Sequence, residues 1–353
     1  MAAYKGKKVL VTGGLGFIGS NLAVRLVGEG AEVSIVDSSV EGCGANLYNI
    51  APIRDRVKLI AAGICDAELF RDELESAEII FNLAGEISHT HSMEFAERDL
   101  QINAVAQLQF LLACRQHARG RRIVYASTRQ VYGTPEYLPV DESHPVNPID
   151  FNGVHKFAAT NYHLLMSRSG DIDAIALRLT NVYGPRMALN IPCQGFLSNF
   201  LRRLLLGQTI EIYGDGNQLR DPMFVDDAVE AFLKAGAAVR PPSRVYNVGG
   251  PHALSLSEIA CMAAASADAP EPVFRPFPDY QKTIDIGSYY TDSTRIQTEL
   301  GWTPAVRFEE GIRRTVAYYR SELSHYLDPA AGEPTCNLPE HDGARRRLRY
   351  GAA

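Results

Sequence analysis

The sequence KVLVTGGLGFIG, at residues 8–19, decides the fold of this chain of 353 residues. Its first part, Lys8–Thr12, is a short apolar run that predicts a β-strand, and apolar residues at helical spacing then predict a helix that ends near Gly28. A second apolar run, Val33–Val36, follows and is closed by Asp37. A strand, a glycine turn, a helix and a second strand with an acid at its tip are typical of a dinucleotide-binding βαβ unit.

Each part of this unit has a physical role. Gly13 permits the sharp turn, Gly16 lets a pyrophosphate approach the backbone, and Gly19 lets the helix pack against the strand. The helix N-terminus offers N–H groups and the positive end of its dipole to phosphates. Asp37 can accept hydrogen bonds from both hydroxyls of an adenosine ribose and would repel a 2′-phosphate, so the pattern favours NAD over NADP. The alternative is a glycine-rich turn at an ordinary strand–helix junction.

The composition excludes several classes of protein. The formal charge of −6 gives no general attraction to nucleic acid or to an anionic membrane, and no apolar run approaches the ~18 residues of a membrane span. The six cysteines are scattered without a CxxC pair, which favours a reduced protein without a metal site. Because the chain enters a strand almost at once, we expect no signal peptide and a cytoplasmic location.

Strands and helices alternate along most of the chain, which predicts an α/β fold with a Rossmann-type, doubly wound parallel sheet and a smaller α/β C-terminal substrate lobe. Two long helices are predicted at Glu94–His117 and Gly153–Ser167. We assign residues 1–185 to the NAD-binding domain, with 220–250 returning to it. Residues 186–219 and 251–326 form the substrate-binding lobe, and 327–353 form a mobile tail. The further strands are predicted at Val57–Ile60, Glu78–Leu83, Arg122–Ala126, Ala174–Leu179 and Val245–Val248.

Six segments, in order, resemble the extended short-chain dehydrogenase/reductase family, and within it the UDP-glucose 4-epimerase-like branch of nucleotide-sugar epimerases and dehydratases. The resemblance extends from residue 5 to about residue 325. It implies one bound NAD, a nucleotide-diphospho-sugar substrate and transient oxidation of the sugar. The segments are Gly13–Gly19, Asn82–Gly85, Ser127–Gly133, Arg178–Arg186, Arg220–Asp227 and Leu300–Pro304.

The resemblance implies a reaction centre of a Ser or Thr, a Tyr and a Lys, with the tyrosine four residues before the lysine on one helix. Thr128 and Lys156 stand at two of these positions, and Asn152 stands where the tyrosine is expected. In the family the tyrosine takes the proton of the sugar hydroxyl, and the lysine binds the nicotinamide ribose. An amide cannot act as a base near neutral pH, and a positioned base is worth roughly 10²–10⁴-fold in rate.

Three substitutes for the tyrosine are open. Lys156 can itself be the base, because desolvation lowers the pKa of a lysine. A water held by Asn152 can relay the proton to Thr128 or Lys156. A histidine can also act: His89 and His91 follow the fourth strand near the expected sugar site, whereas His155 points about 100° away from Lys156 on the helix. The preferred hypothesis is that Lys156 handles the proton, directly or through a water. The candidate catalytic residues are Thr128, Lys156, Asn152 and His89.

The same resemblance assigns residues to cofactor and substrate. For the substrate, Asn181 and Arg220 would bind the diphosphate, and Glu211 and Tyr213 would bind the nucleotide base, with core packing as the alternative for Tyr213. A second family arginine is missing near residue 282, where Lys282 is the available substitute. The residues implied for NAD are Gly13, Gly16, Phe17, Ile18, Asp37, Ile64, Ala84, Gly85, Lys156 and Leu179.

The two residues after Thr128 bear on the reaction. Family 4,6-dehydratases carry an Asp-Glu pair there for water loss, whereas this chain has Arg129 and Gln130. The sequence therefore favours epimerisation, with C4 as the preferred carbon. Arg129 would bind the substrate through an anionic group on the sugar such as a uronic carboxylate, or it pairs with a local acid. A dehydrogenase, ketoreductase or decarboxylase, and a non-catalytic protein that binds NAD or a nucleotide sugar, remain alternatives.

The two long predicted helices carry apolar residues beyond a single stripe. In the family these helices pair across a dimer as a four-helix bundle, and we therefore expect a homodimer. Core packing within one subunit would explain part of the pattern. The residues concerned include Val105, Leu108, Leu111, Leu112, Phe157 and Leu164.

Overall fold

The computed structural model describes residues 3–40, 42–191, 195–276 and 285–327. A seven-stranded parallel sheet is at its centre, and three two-stranded pairings lie outside it. In chain order the strands are β1 (Lys8–Thr12), β2 (Glu32–Asp37), β3 (Val57–Ala61), β4 (Ile79–Asn82), β5 (Arg122–Thr128), β6 (Asp173–Leu179), β7 (Val182–Tyr183), β8 (Glu211–Tyr213), β9 (Leu219–Arg220), β10 (Met223–Phe224), β11 (Val245–Val248), β12 (Leu254–Ser255) and β13 (Val273–Arg275).

The large sheet has the strand order β11-β6-β5-β4-β1-β2-β3. The order reverses beside β1, because the chain first adds β2 and β3 on one side and then β4, β5 and β6 on the other. In open parallel sheets ligands bind at such a reversal, outside the carboxyl ends of the strands. The strands have near-continuous apolar sequences because both of their faces are buried, and Val9 and Leu10 belong to core clusters on opposite faces. These features confirm the predicted doubly wound α/β fold.

The helices cover both faces of the sheet and build the smaller lobe. In chain order they are α1 (Phe17–Gly28), α2 (Arg71–Ser76), α3 (His89–Glu94), α4 (Ala96–Leu100), α5 (Ala106–His117), α6 (Phe151–Arg168), α7 (Phe196–Leu205), α8 (Val225–Ala237), α9 (Leu256–Ser266), α10 (Thr294–Leu300) and α11 (Phe308–Glu322).

The single helix predicted at Glu94–His117 is wrong. Glu94 ends α3, and a π-helical turn at Gln101–Val105 separates α4 from α5. The wider turn carries Asn103, whose Oδ1 accepts from the backbone N–H of Glu86 at 3.1 Å and whose Nδ2 donates to the Glu86 carbonyl at 3.0 Å. A single π turn inside an α-helix is frequently found at functional sites.

The smaller lobe shares a core with one face of the sheet, since residues such as Leu201 and Ile259 belong to the same apolar cluster as Val9. Trp302 joins the C-terminal segment to α8 by donating its indole N–H to the carbonyl of Asp227 at 2.9 Å. Leu327, the first residue of the predicted tail, is also buried in this cluster, so the packed chain includes it. Residues 328–353 lie outside the described residues, and the division into domains stays a prediction.

Candidate active site

The glycine turn after β1 is closed by backbone contacts that leave no room for side chains. Gly13 has φ +70°, and a Cβ there would lie 2.8 Å from the N of Ala84. A Cβ on Gly19 would lie 2.2 Å from the carbonyl oxygen of Gly13, so this glycine lets α1 begin directly against the turn. α1 begins at Phe17, and its N-cap residue Gly16 makes no side-chain capping bond. The first N–H groups of α1 are therefore available to an anion, as a pyrophosphate requires.

Asp37 lies at the end of β2 and is held beside this turn. Its Oδ2 accepts from the N–H of Leu15 at 2.9 Å, and its Oδ1 accepts from the N–H of Ser39 at 2.8 Å. Burial raises the pKa of Asp37, and the two backbone hydrogen bonds oppose that shift. Each carboxylate oxygen keeps a lone pair for a further donor, which suits the two hydroxyls of a ribose. Ile64, expected near adenine, is buried in the loop after β3.

The loop after β4 brings the predicted nicotinamide side of the site against α6. Ala84 donates its N–H to Thr12 Oγ1 at 3.3 Å and accepts from Gln107 Nε2 at 2.8 Å. A Cβ on Gly85 would lie 2.6 Å from the Nζ of Lys156 and 2.8 Å from the Oδ1 of Asn103, so a larger residue there would have to displace these side chains. Leu179 ends β6 at the same edge of the sheet, where it pairs with β11.

Lys156 is buried on α6 at the centre of this edge. Its Nζ lies 3.5 Å from the carbonyl oxygen of Ala126 and 5.4 Å from the ring centroid of Tyr125. Burial lowers the pKa of Lys156 to about 8, and the charge of Asp99 opposes that shift. With a pKa of about 8, roughly a tenth of the amine is neutral at pH 7, and the neutral fraction grows as the pH rises. Lys156 can therefore accept a proton near neutral pH.

Asn152 lies one turn before Lys156, and both hydrogens of its side-chain amide are bound within the protein. Its Nδ2 donates to the carbonyl of Glu86 at 2.9 Å and to Oδ2 of Asp99 at 2.8 Å. Oδ1 of Asp99 lies 2.7 Å from Nδ1 of His155. Because both amide hydrogens of Asn152 are used in this way, a relay water could be held only by its Oδ1. His155 therefore shares the carboxylate of Asp99 with Asn152.

Thr128 and His89 lie on either side of the short turn after β5. Thr128 Oγ1 accepts from the N–H of Gln130 at 3.2 Å, which leaves its hydroxyl hydrogen free to reorient. The Gln130 Nε2 lies 3.0 Å from Nδ1 of His89. Burial, with smaller effects of Arg129 and Arg220, lowers the pKa of His89 to about 4. This imidazole is therefore neutral near pH 7 and can exchange hydrogen bonds but not act as a cation.

Two arginines lie near each other at this turn. Arg129 is the first residue of the turn, and Arg220 is on β9. Arg220 is buried and donates through Nη1 to the carbonyls of Leu219 at 2.8 Å and Gly287 at 2.6 Å. The guanidinium carbon of Arg129 lies 4.9 Å from the ring centroid of Tyr289. Burial lowers the pKa of Arg220 to about 10, and the charge of Arg129 adds to that shift. The two guanidinium groups therefore lie close enough to act on each other, with the carboxylate of Asp221 near both.

The remaining predicted substrate residues are divided between two places. Asn181 lies between β6 and β7, and its buried Oδ1 has no hydrogen-bond partner among the described residues, so it can accept from a ligand. Glu211 and Tyr213 lie on β8 in the smaller lobe, where Glu211 contacts Arg275 at 3.2 Å. Tyr213 is 37% exposed, so core packing does not explain it. Lys282 lies outside the described residues.

Sequence reasoning missed the buried carboxylate of Asp99. A polar stripe could have revealed it, because Asp99, Asn103 and Gln107 recur every four residues, and all three are at most 1% exposed in the structure. Within the described ranges, no group of three metal-ligating side chains is assembled. No described helix is long and apolar enough to cross a membrane.

Comparison with known proteins gives a consistent result. Residues 9–249 match the model of the NAD dependent epimerase/dehydratase family. The UDP-glucose 4-epimerase of Mycolicibacterium smegmatis is 36% identical over 318 residues, which cover 89% of this chain and 99% of that protein. The crystal structure of the UDP-glucose 4-epimerase of Thermotoga maritima with UDP-glucose is 29% identical, with a TM-score of 0.80 and coverage of 89% of this chain and 99% of that one.

A dehydratase is similar to nearly the same extent. The dTDP-glucose 4,6-dehydratase of Streptomyces venezuelae, solved with NAD bound, is 28% identical with a TM-score of 0.81, and the match covers 90% of this chain and 98% of that one. The similar proteins therefore include enzymes that catalyse different reactions on nucleotide sugars.

Proposed function

We propose that this chain, which belongs to the NAD-dependent epimerase/dehydratase family, is a nucleotide-diphospho-sugar epimerase that inverts C4 of the sugar. Its cofactor is NAD, and the glycine turn, the start of α1 and Asp37 fit the pyrophosphate and the adenosine ribose. Bound NAD supplies a hydride acceptor for the sugar carbon and a hydride donor for the return step.

The observation that carries this proposal is the composition of the reaction centre. Lys156 is a buried amine with a pKa of about 8, and the turn after Thr128 carries Arg129 and Gln130. A reversible oxidation of the sugar needs one group that accepts and returns a proton, and Lys156 can do both. Elimination of water needs an additional acid near the leaving hydroxyl, and neither Arg129 nor Gln130 supplies one near neutral pH.

In this proposal, Lys156 alone accepts and returns the proton of the reaction. The neutral Nζ takes the proton of the C4 hydroxyl while C4 loses a hydride and its oxygen becomes a carbonyl oxygen. The resulting ammonium is stabilised by the buried carboxylate of Asp99. The same Nζ returns the proton when hydride adds to the opposite face of C4. The Thr128 hydroxyl can donate a hydrogen bond to the reacting oxygen, and neutral His89 is a second candidate for this role.

Charge and hydrogen-bonding capacity support the assignment of the substrate residues. Arg220 and Asn181 would hold the diphosphate, since a guanidinium group suits phosphate oxygens and the Asn181 side chain has an unused buried oxygen. Glu211 and Tyr213 would contact the nucleotide base from β8. A cytoplasmic location stays a prediction.

The test is to incubate the purified, NAD-loaded protein with a panel of UDP- and dTDP-hexoses and to identify products by NMR. A C4 epimer of unchanged mass, formed without accumulation of NADH, supports the proposal. Stoichiometric NADH indicates a dehydrogenase, and a product that has lost water indicates a dehydratase. Binding of a nucleotide sugar without turnover would favour a non-catalytic binding protein, the alternative for which the engaged amide of Asn152 is the specific observation.

We also propose that the protein forms a homodimer through α5 and α6. These helices contact each other and expose Leu108 (37%), Leu112 (39%), Val154 (45%) and Leu165 (63%). Leu111, from the same predicted set, is buried within the subunit, so core packing explains only part of the apolar pattern. Exposed apolar residues on two helices in contact favour a protein interface.

Sedimentation analysis tests this second proposal. Leu165→Glu places a charge in the apolar patch and should give monomers. Leu69→Glu is the matched control, because Leu69 is similarly exposed at 65% but lies outside α5 and α6. A monomeric wild-type protein would contradict the proposal.

A further inference from the structure

Arg129 is half-buried and lacks an acidic partner. Among the described residues, no carboxylate lies within ion-pair distance of its guanidinium group, and none of its side-chain nitrogens makes a hydrogen bond within the protein. Its guanidinium carbon instead lies over the ring of Tyr289, at 4.9 Å from the centroid. Burial lowers the pKa of Arg129, but arginine stays charged in proteins. A shielded charge without a partner is costly, and a ligand that supplies the opposite charge removes the cost.

The nearest acids are already bound to other groups. Asp221 accepts from the hydroxyl of Thr180 and from the N–H of Thr291. Asp150 caps α6 by accepting from the N–H of Gly153 at 2.6 Å. Both act on Arg129 through space only. Pairing of Arg129 with a local acid, which the sequence left open, is therefore not what the structure contains.

The position of Arg129 indicates which part of a substrate it meets. It directly follows Thr128, so it lies on the strand end that presents the reaction centre. Arg220 comes from β9 and is fixed by main-chain carbonyls. The charges of both guanidinium groups act on His89 and on each other, so the two groups lie close together beside the predicted sugar site. The Tyr289 ring supports the planar guanidinium group of Arg129 and leaves its edge for a planar, bidentate partner.

We propose that Arg129 determines substrate specificity by binding the carboxylate of a nucleotide-diphospho-hexuronic acid. This inference rests on the proposed function, because it requires that the sugar lies beside Thr128. A neutral hexose presents a hydroxymethyl group instead and leaves the charge of Arg129 without a partner. Sites built around a buried polar group discriminate strongly against ligands that cannot pair with it.

The test compares UDP-glucuronate with UDP-glucose, which differ only at C6, and repeats the comparison with the dTDP forms. Both kcat/KM and the calorimetric Kd are measured on NAD-loaded protein. The wild-type protein should prefer the uronate by at least about 100-fold, as expected for a charge-assisted pair. Arg129→Met should bring this ratio close to one, and Arg129→Lys, which keeps the charge without the fork, should give an intermediate ratio.

Arg178→Met is the matched control. The guanidinium carbon of Arg178 lies 4.8 Å from the ring centroid of Tyr132, and its Nη1 donates to the Tyr132 hydroxyl at 2.7 Å. Arg178 is therefore another arginine over a tyrosine ring, but it is buried and has its hydrogen-bond partner inside the protein. Its substitution should leave the preference for the uronate in place, whatever it does to stability.

The outcomes separate this inference from the proposed function. If UDP-glucose is epimerised as well as the uronate, or if Arg129→Met weakens both substrates equally as a diphosphate ligand would, the epimerase stands and the uronate inference is wrong. If the uronate is used but CO2 leaves C5 of the oxidised sugar and a proton takes its place, Arg129 keeps its role and the epimerase is wrong. If neither sugar binds, the uronate inference is wrong, and the wider panel of UDP- and dTDP-hexoses decides the proposed function separately.

Discussion

The glycine turn after β1 and the proposed reaction pocket, formed by Thr128, Arg129 and Lys156, lie at the same edge of one sheet. They depend on different features of the chain. The turn depends on residues that have no side chain, since a Cβ on Gly13 or Gly19 would collide with the backbone. The pocket depends on charged and polar side chains from distant elements, among them Lys156 and Arg129. The comparison indicates that the proposed cofactor site constrains local backbone geometry, whereas the proposed chemistry constrains side-chain identity.

Replacement of Lys156 by methionine should have the largest effect on the pocket. The change keeps an unbranched chain of similar length in the buried space and removes the amine that we propose as the base. We expect kcat to fall by about 10²–10⁴-fold, the usual worth of a positioned base. The rate should be measured per NAD-loaded subunit, so that weaker cofactor binding is not mistaken for lost chemistry.

Lys58→Met is the control for this change, because Lys58 is 65% exposed and forms a surface ion pair with Glu73. It should keep the wild-type rate. Turnover by Lys156→Met at an undiminished rate per bound NAD would show that the proton goes elsewhere, with a water relay to Thr128 as the next candidate.

Replacement of Gly19 by alanine should distort the glycine turn through a steric clash. The added Cβ would lie 2.2 Å from the Gly13 carbonyl oxygen, so α1 must shift away from the turn. We expect a loss of about 1–3 kcal/mol in the free energy of unfolding, as for other overpacked sites, together with weaker NAD retention. Urea denaturation and the NAD content of the purified protein measure the two effects.

Gly28→Ala is the matched change at the other end of α1. A Cβ on Gly28 would meet nothing within 4 Å, and alanine is a better helix former than glycine. This variant should keep its NAD and gain up to about 1 kcal/mol in the free energy of unfolding. Equal behaviour of the two variants would refute the view that the turn works by excluding a Cβ.

The same difference explains what could be predicted from the sequence. The bounds of β1 follow from adjacent residues, and they agree with the prediction at Lys8–Thr12. The placement of Asn152 at the position of the family tyrosine is implied by the resemblance and by its spacing from Lys156 on one helix, and it stays a prediction. The hydrogen bond from Asn152 to Asp99 could not be predicted, because the two residues are 53 positions apart in the sequence and are brought together by the fold. The π turn that interrupts the predicted helix likewise contains a residue, Asn103, that is bound to Glu86 across 17 residues.

The smallest predicted effect concerns the pH dependence of the pocket. Because the neutral amine of Lys156 is the proposed base, kcat should rise with pH and level off above the pKa of about 8. Below that value the rate should fall about tenfold per pH unit. The buried charge of Asp99 favours the ammonium form and holds this pKa up. Asp99→Asn should therefore move the acid limb to lower pH and raise the fraction of maximal activity at pH 6.5 by a factor on the order of a few.

Other groups near the amine do not predict the same shift. Tyr125 faces Lys156 from β5 with its pKa raised by burial, and His163 lies further along α6 with its pKa lowered by burial to about 4, so both are neutral over this range. Glu97→Gln is the control, because Glu97 is an exposed acid on the same short helix as Asp99. If both variants moved the limb equally, general surface charge would explain it. If only Asp99→Asn does so, a side chain that no local sequence pattern pairs with Lys156 sets the working range of the base.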